Sequence, residues 1–326
     1  MASNLGPRVT IPEIFSILGS VYVEKYTGML ESFGIRQAQL VQSDLPGNTI
    51  VVTQFKGLAK NPDGSGGEPS LTDKNYTSPA NVEAGFVVTQ SEAINLKAKM
   101  FKLVDDKEIF TAFARNAGSF SGDALATVEA VIGDMFLSAM EDDLISKIST
   151  TNRKVSYTSQ ETGNAFSMKE LTKAAITLAG RNALQARFSL IVHPNVYAAI
   201  VLGNFPDIYK LTNAVGVPNL ITNGGIQFLQ IKLSDKCPYD SSSGLYTSYL
   251  FLDGAVNYYI HTWELNFNPY GWGTYNVYIR NTGNAIDTNT GQNVYFFEGK
   301  WAFYVPDTPA LFRRICEFKS TDVIAP

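Results

Sequence analysis

The sequence predicts an α+β fold from three observations. A β-rich stretch over 49–104 is broken in its middle by Gly and Pro. A long helical pattern follows at 123–149. Beyond 220 the chain is mostly short β runs separated by Gly, Asn, Asp and Pro.

Composition sets the frame for these elements. Of 326 residues, 45% are apolar and 17% charged, enough to bury one large core or two modest ones. The 20 Phe and 16 Tyr argue against disorder and suit a tightly packed, β-rich chain. The net charge of −4 does not fit a protein that grips nucleic-acid phosphates, and the pair Arg313-Arg314 is too small to be a basic patch. The two cysteines, Cys237 and Cys316, belong to no CxxC and read as free, buried thiols. The opening residues lack a charged segment leading into an apolar block, and no run approaches the ~18 apolar residues of a membrane span. The expectation is a soluble chain made in a cytoplasm, with no membrane partner.

Residues 11–40 read as an arm with one or two short helices. Ile14, Ile17, Leu18 and Val21 have helical spacing, while Gly19, Gly28 and Gly34 weaken a long helix. Thr49 to Phe55 is a strand by its β-branched content. The run Pro62-Asp63-Gly64-Ser65-Gly66-Gly67-Glu68-Pro69 fits neither a helix nor an inner strand. Strand character resumes over Val82–Thr89, and Ile94, Leu96, Ala98 and Met100 alternate with polar residues. So 49–104 reads as a long β excursion with a flexible tip, and such connections are functional or disordered.

The helical pattern at 123–149 repeats Leu125, Val128, Ile132, Met135, Phe136, Ala139 and Met140. Glu141-Asp142-Asp143 reads as a solvated face of that helix rather than a metal site. A turn-rich boundary at 151–166 leads to Ser167-Met168-Lys169-Glu170, a capping box in which the Glu side chain reaches back. A helix follows to Gly180, then the strand Phe188–Val192, the turn His193-Pro194, and a short helix capped by Asn195. Further strands are predicted at Gly225–Lys232, Thr247–Leu252, Val256–Thr262, Tyr275–Arg280, Asn293–Val305 and Leu311–Phe318.

Catalytic motifs for nucleophilic, phosphoryl-transfer, dinucleotide or zinc chemistry are absent from this sequence. His193 reads as a turn residue that bonds nearby backbone, and His261 as a half-buried strand residue. Glu264, Asp253 and Glu298 lie near Trp263, Tyr270, Trp272 and Trp301, a combination that suits sugars. Aromatic β regions are more often core or interface. The sequence therefore points to an interaction protein without cofactors, catalytic residues or metal. The β excursion is too polar and too long to bury itself on its own chain. Repeated head-to-tail contacts of that kind close into rings.

This order of elements resembles the major capsid proteins of tailed double-stranded DNA bacteriophages, the Hong Kong 97-like fold. The local texture of Phe166-Ser167-Met168-Lys169-Glu170-Leu171 and of Phe188-Ser189-Leu190-Ile191-Val192-His193-Pro194-Asn195 carries the likeness, with Glu298-Gly299-Lys300-Trp301-Ala302-Phe303 near the end. The resemblance implies an N-terminal arm (1–48), an extended β-hairpin loop with its adjoining strand (49–104), and a peripheral domain with a long spine helix (105–150). An axial domain (151–265) and β segments returning to the peripheral domain (266–326) would complete it. It further implies self-assembly into hexamers and pentamers of an icosahedral shell in the virion, built in the host cytoplasm around double-stranded DNA. No long charged helical extension precedes the arm, which implies a separate scaffolding protein, and a portal is expected with it. Lys56, Lys60, Asp63, Glu68, Lys74 and Tyr76 of the extended loop are the candidate inter-subunit contacts. Some relatives cross-link a Lys to an Asn; Lys56, Lys60, Lys74, Asn61 and Asn75 read here as exposed loop residues instead. The alternatives are an encapsulin-type compartment shell, a carbohydrate-active enzyme and a phage tail protein.

Overall fold

The computed structural model describes residues 11–38, 49–63, 65–67, 69–70, 85–104, 122–183, 186–202, 228–265, 275–288, 291–306 and 314–324. Along the chain these form helix α1 (Ile11–Ser32) and strands β1 (Arg36–Gln37), β2 (Thr49–Ala59), β3 (Phe86–Asn95) and β4 (Lys97–Val104). Helix α2 (Gly122–Thr150), strands β5 (Lys154–Thr158) and β6 (Ala165–Phe166), helix α3 (Met168–Ala179), strand β7 (Arg187–Val192) and helix α4 (Pro194–Leu202) follow. Strands β8 (Phe228–Leu233), β9 (Tyr239–Asp240), β10 (Leu245–Leu252), β11 (Asn257–Ile260) and β12 (Trp263–Leu265) come next. The last are β13 (Tyr275–Val277), β14 (Ile279–Ile286), β15 (Asn293–Tyr304) and β16 (Ile315–Ile324). The chain divides into two compact units. One comprises 1–32, 95–144 and 258–303; the other comprises 33–94, 145–257 and 304–326.

The first unit is built on α2 and β15. With 29 residues α2 is far longer than an average helix, and its 1.5 Å rise per residue makes it about 43 Å long. Ile132, Phe136 and Met140 are buried at helical spacing. The ring of Phe136 meets Trp301 edge-on at 6.2 Å. Gly299 lets β15 come close there: a Cβ at this position would stand 3.0 Å from the Phe136 ring. β15 pairs antiparallel with β14 on one side and with β4 on the other. Among the described residues β15 is the only strand that β4 pairs with.

One unbroken helix of 22 residues replaces the short helices expected in the arm. Gly19 serves contact rather than interruption. Gly19 packs on Ile279 so tightly that an added Cβ would lie 2.9 Å from Ile279 Cδ1. The buried hydroxyl of Ser20 accepts hydrogen bonds from the Tyr278 and Ile279 amides at 2.9 and 3.2 Å, tying α1 to the start of β14. Gly34, at φ +76°, turns the chain after the helix.

The acidic run in α2 also departs from expectation. Asp143 is buried, not solvated. Its carboxylate accepts from Lys97 Nζ at 2.6 Å and from Trp301 Nε1 at 2.9 Å. A buried charge persists when it is paired and hydrogen-bonded in this way.

The second unit has a mixed sheet in the order β5-β16-β10-β7-β8. β10 is antiparallel to β16 and β7, while β5 and β8 are parallel to β16 and β7. Leu171, Ala174, Ala175 and Leu178 of α3 pack with Leu190, Leu250 and Phe318 in its core. The sequence reading sends all of 266–326 back to the long-helix unit. β13, β14 and β15 do lie there, but β16 pairs with β10 and β5 in the second unit.

Local signals in this unit are met in part. Ser167 Oγ accepts from the Glu170 amide at 3.2 Å, and Gly180, at φ +54°, ends α3. Glu170 does not close the capping box. Its buried carboxylate instead accepts from the Tyr157 hydroxyl at 2.6 Å, the Gln160 amide at 2.9 Å and Lys173 Nζ at 2.5 Å. Burial pushes that carboxyl's pKa up, but the three hydrogen bonds outweigh burial and hold it at about 2. Asn195 is not the cap of α4, because the helix begins at Pro194, where the missing N–H costs nothing. Its side chain donates to the Tyr246 hydroxyl at 2.9 Å. His193 does bond nearby backbone: its Nδ1 accepts from the Asn195 amide at 3.1 Å.

Candidate assembly surface

β2 and β3 pair with each other and with no other described strand, forming a two-stranded sheet. A sheet of two strands is marginal by itself and needs a covering partner. β3 carries the clearest signature of one: of its ten residues seven are exposed and two half-buried, and only Ile94 is buried. On this hairpin Leu58, Phe86 and Val87 are exposed, Val87 at 64%. Ile50, Val52 and Ala59 of β2 and Ile94 of β3 are buried, while the rest of β3 lacks the apolar-in, polar-out contrast of a strand lying on its own core. At the root, Glu92 and Arg153 form an ion pair at 3.8 Å.

The turn beyond β2 is more ordered than expected. The Asn61 amide donates to Ser65 O at 3.2 Å and the Lys60 amide to Gly67 O at 3.0 Å, and these two bonds close the turn. Asp63 accepts from both the amide and the hydroxyl of Ser65, at 2.9 and 2.7 Å. The Ser65 hydroxyl bond and the Ser65 amide bond hold its carboxyl below the usual carboxylate range. Gly66 and Gly67, at φ +84° and +74°, supply the left-handed backbone that the turn requires. Asp63 is therefore a turn-former first, while its surroundings stay exposed.

The other candidate contact residues fall as follows. Lys56 lies in β2 and Lys60 just beyond it, half-buried. Glu68, Lys74 and Tyr76 lie outside the described residues, as do Asn75 and the rest of 71–84.

β4 departs from the strand that the sequence predicts. The run from Ile94 to Met100 was read as one strand with a wet and a dry face. The chain instead breaks at Leu96, and Ala98 and Met100 are exposed rather than buried. Met100 is 64% exposed and Val104 40%. The alternation was legible, but the sequence holds no signal that its apolar side would face outward.

The residues that suggested sugar chemistry are committed to structure. The Glu298 carboxylate is held by Arg280, at 3.3 and 3.0 Å, and by Lys300 at 3.3 Å. The Asp253 carboxylate is gripped at both oxygens by Arg36. Glu264 is an exposed β12 residue opposite Asn276, and Tyr270 and Trp272 lie outside the described residues. His261 is half-buried and stands edge-on to Trp263 at 4.7 Å. Its pKa is lowered by burial and by the nearby Lys300 and Arg280 cations, against a smaller opposing pull from Glu298. Cys237 and Cys316 are free and buried, as expected. No group of three or more metal-binding side chains occurs among the described residues, and no helix there is long and apolar enough to cross a membrane.

No protein-family model matches the chain, and no curated protein matches it in sequence. Its likeness is to solved shells. The capsid of an empty GTA particle superposes with a TM-score of 0.51 at 9% identity, covering 98% of this chain and 94% of that one. The capsid of Ralstonia phage GP4 gives 0.50 at 10% identity, covering 88% and 87%. A virus-like particle from Pyrococcus furiosus gives 0.49 at 13% identity, covering 95% and 100%. The first two likenesses establish that this chain has the Hong Kong 97-like capsid fold.

Proposed function

We propose that this chain is the major capsid protein of a tailed double-stranded DNA bacteriophage, a structural subunit and not an enzyme. It assembles with itself into hexamers and pentamers of an icosahedral shell. A separate scaffolding protein and a portal guide assembly in the host cytoplasm, and the finished virion encloses DNA without sequence-specific contact. One observation carries this reading: a two-stranded hairpin, β2–β3, whose strand β3 is exposed at seven of its ten residues, on a chain with a shell fold. Such a hairpin finds its cover on an adjacent subunit. Weak contacts repeated around a closed shell sum to large avidity. Lys56, Lys60, Glu68, Lys74 and Tyr76 supply contacts there, and Asp63 shapes the turn that presents them.

The test is electron microscopy of the purified chain, alone and co-expressed with its neighbouring genes. Icosahedral particles, hexameric rings or tubes are expected. Packaged DNA identifies a virus, and packaged protein would reassign the shell to a compartment. Deleting 60–75 should leave a folded, soluble chain that builds no shells. Normal shells from that deletion would remove the hairpin from the assembly mechanism.

A further inference from the structure

We propose that the turn at Asp253-Gly254, with Arg36 and Arg314 beside it, is an anion site that takes a phosphate group of a nucleic-acid backbone. The inference rests on the shell reading above and deepens it by naming where the chain touches the DNA it encloses.

The first observation is convergence. Arg36 and Arg314 come from opposite ends of the chain and reach the same point. A Cβ at Gly254 would lie 3.5 Å from Arg314 Nη1 and 3.7 Å from Arg36 Nε. The backbone fixes this meeting. The Gly254 amide donates to Gly34 O at 2.7 Å, the Arg36 amide to Val256 O at 3.2 Å, and the Leu252 amide to Arg314 O at 2.9 Å. Gly254, at φ +71°, carries no side chain, so a ligand can approach the backbone between the two guanidinium groups.

The second observation is uncompensated charge. Asp253 accepts from Nε and Nη2 of Arg36. Arg314 donates from Nη1 to the Asp253 carbonyl oxygen at 3.2 Å and has no carboxylate partner among the described residues. All three side chains belong to exposed residues. Two cations against one carboxylate leave the turn positive, although the whole chain is acidic. In the sequence Arg314 has only Arg313 beside it; the fold brings Arg36 to it.

The third observation is geometry, and it selects the ligand. Arg36 by itself occupies both oxygens of the Asp253 carboxylate. Two guanidinium groups arriving from different segments suit a tetrahedral anion with more acceptor oxygens, and arginine forks match phosphate. Contacts to phosphate carry no base sequence, which suits a container for any DNA.

The test uses the full chain, unassembled, and a fluorescent DNA duplex followed by anisotropy from about 20 to 200 mM salt. Gly254→Asp places a carboxylate at the meeting point. Gly254→Asn carries the same backbone strain without the charge, since both residues tolerate a left-handed backbone. Gly254→Asp should bind the duplex about tenfold more weakly than Gly254→Asn at low salt, with a salt slope smaller by about one. Arg314→Gln should show a similar loss against wild type. Lys169→Gln, which removes one charge from the exposed surface of α3, should change binding by less than about twofold. Equal binding by the Asp and Asn variants would overturn the proposal, as would equal losses at Arg314 and Lys169. A wild-type chain that binds inorganic phosphate in calorimetry but not the duplex would overturn the nucleic-acid assignment. A Gly254→Asp chain that binds DNA like the Asn variant but no longer assembles would also overturn it, giving the arginines to a carboxylate of a neighbouring copy. Absence of particles in the microscope is a separate result: it overturns the shell reading and leaves the duplex measurement standing.

Discussion

Replacing Glu170 with Gln tests whether an ionised carboxylate locks the start of α3. The wild-type side chain is buried, with one oxygen taking the Tyr157 hydroxyl and Gln160 amide and the other taking Lys173 Nζ. Gln keeps one acceptor oxygen but turns an NH2 group toward the Lys173 ammonium. The pKa falls from a model-peptide 4.5 to about 2 on folding. A shift of that size corresponds to about 3 kcal/mol. Lys173 is 41% exposed, so solvent screens the pair and reduces the net effect to about 1–2 kcal/mol. Because the folded-state pKa is depressed, this stabilisation is fully present above about pH 5 and is lost as pH falls toward about 2. Urea unfolding of wild type and Glu170→Gln, followed by circular dichroism at several pH values, measures it. The stability difference should be about 1–2 kcal/mol at pH 7 and shrink toward zero by about pH 2. A difference that stays constant over that range would refute the argument, because the loss would then come from shape and not from charge.

Gly133→Ala should destabilise the chain by about 1–3 kcal/mol despite better helix propensity, because the new Cβ would lie 2.6 Å from Tyr22 Cγ; chemical denaturation checks this. Asp143→Ala should cost about 2–3 kcal/mol by the same assay, since Lys97 and the Trp301 indole both lose their acceptor. Cys316 should resist thiol reagents in the native state and react on unfolding, because it is fully buried and burial pushes its pKa up to about 12. Timed labelling with a chromogenic disulfide reads this out.

The parts of the fold legible in the sequence are those governed by local rules. The long helix, expected at 123–149, is observed at Gly122–Thr150 because a 3.6-residue apolar period sustained over seven turns has no competing reading. Ser167 and Gly180 bracket α3 because a cap needs a side-chain oxygen at one end and a left-handed residue at the other. What the sequence hid depends on distant partners. Gly19 and Gly28 look like helix breakers until Ile279 is seen packed against Gly19, 260 positions away in the chain. Asp143 looks solvated until Lys97 and Trp301 arrive from β4 and β15. Glu170 looks like half of a capping box, but Tyr157 and Lys173 make better partners than the orphan amide three residues back.

The exposure of β3 is legible for a different reason. Its signal is a conflict between levels: strand-forming residues that predict order, in a stretch where polar residues outnumber apolar ones, and β3 is exposed along nearly its whole length. At β4 the alternation of Ile94, Leu96, Ala98 and Met100 predicts a strand with one wet face and one dry one. Ile94 and Leu96 are buried, and Met100 is not. An apolar period of two states that one face will be covered, but not by which molecule.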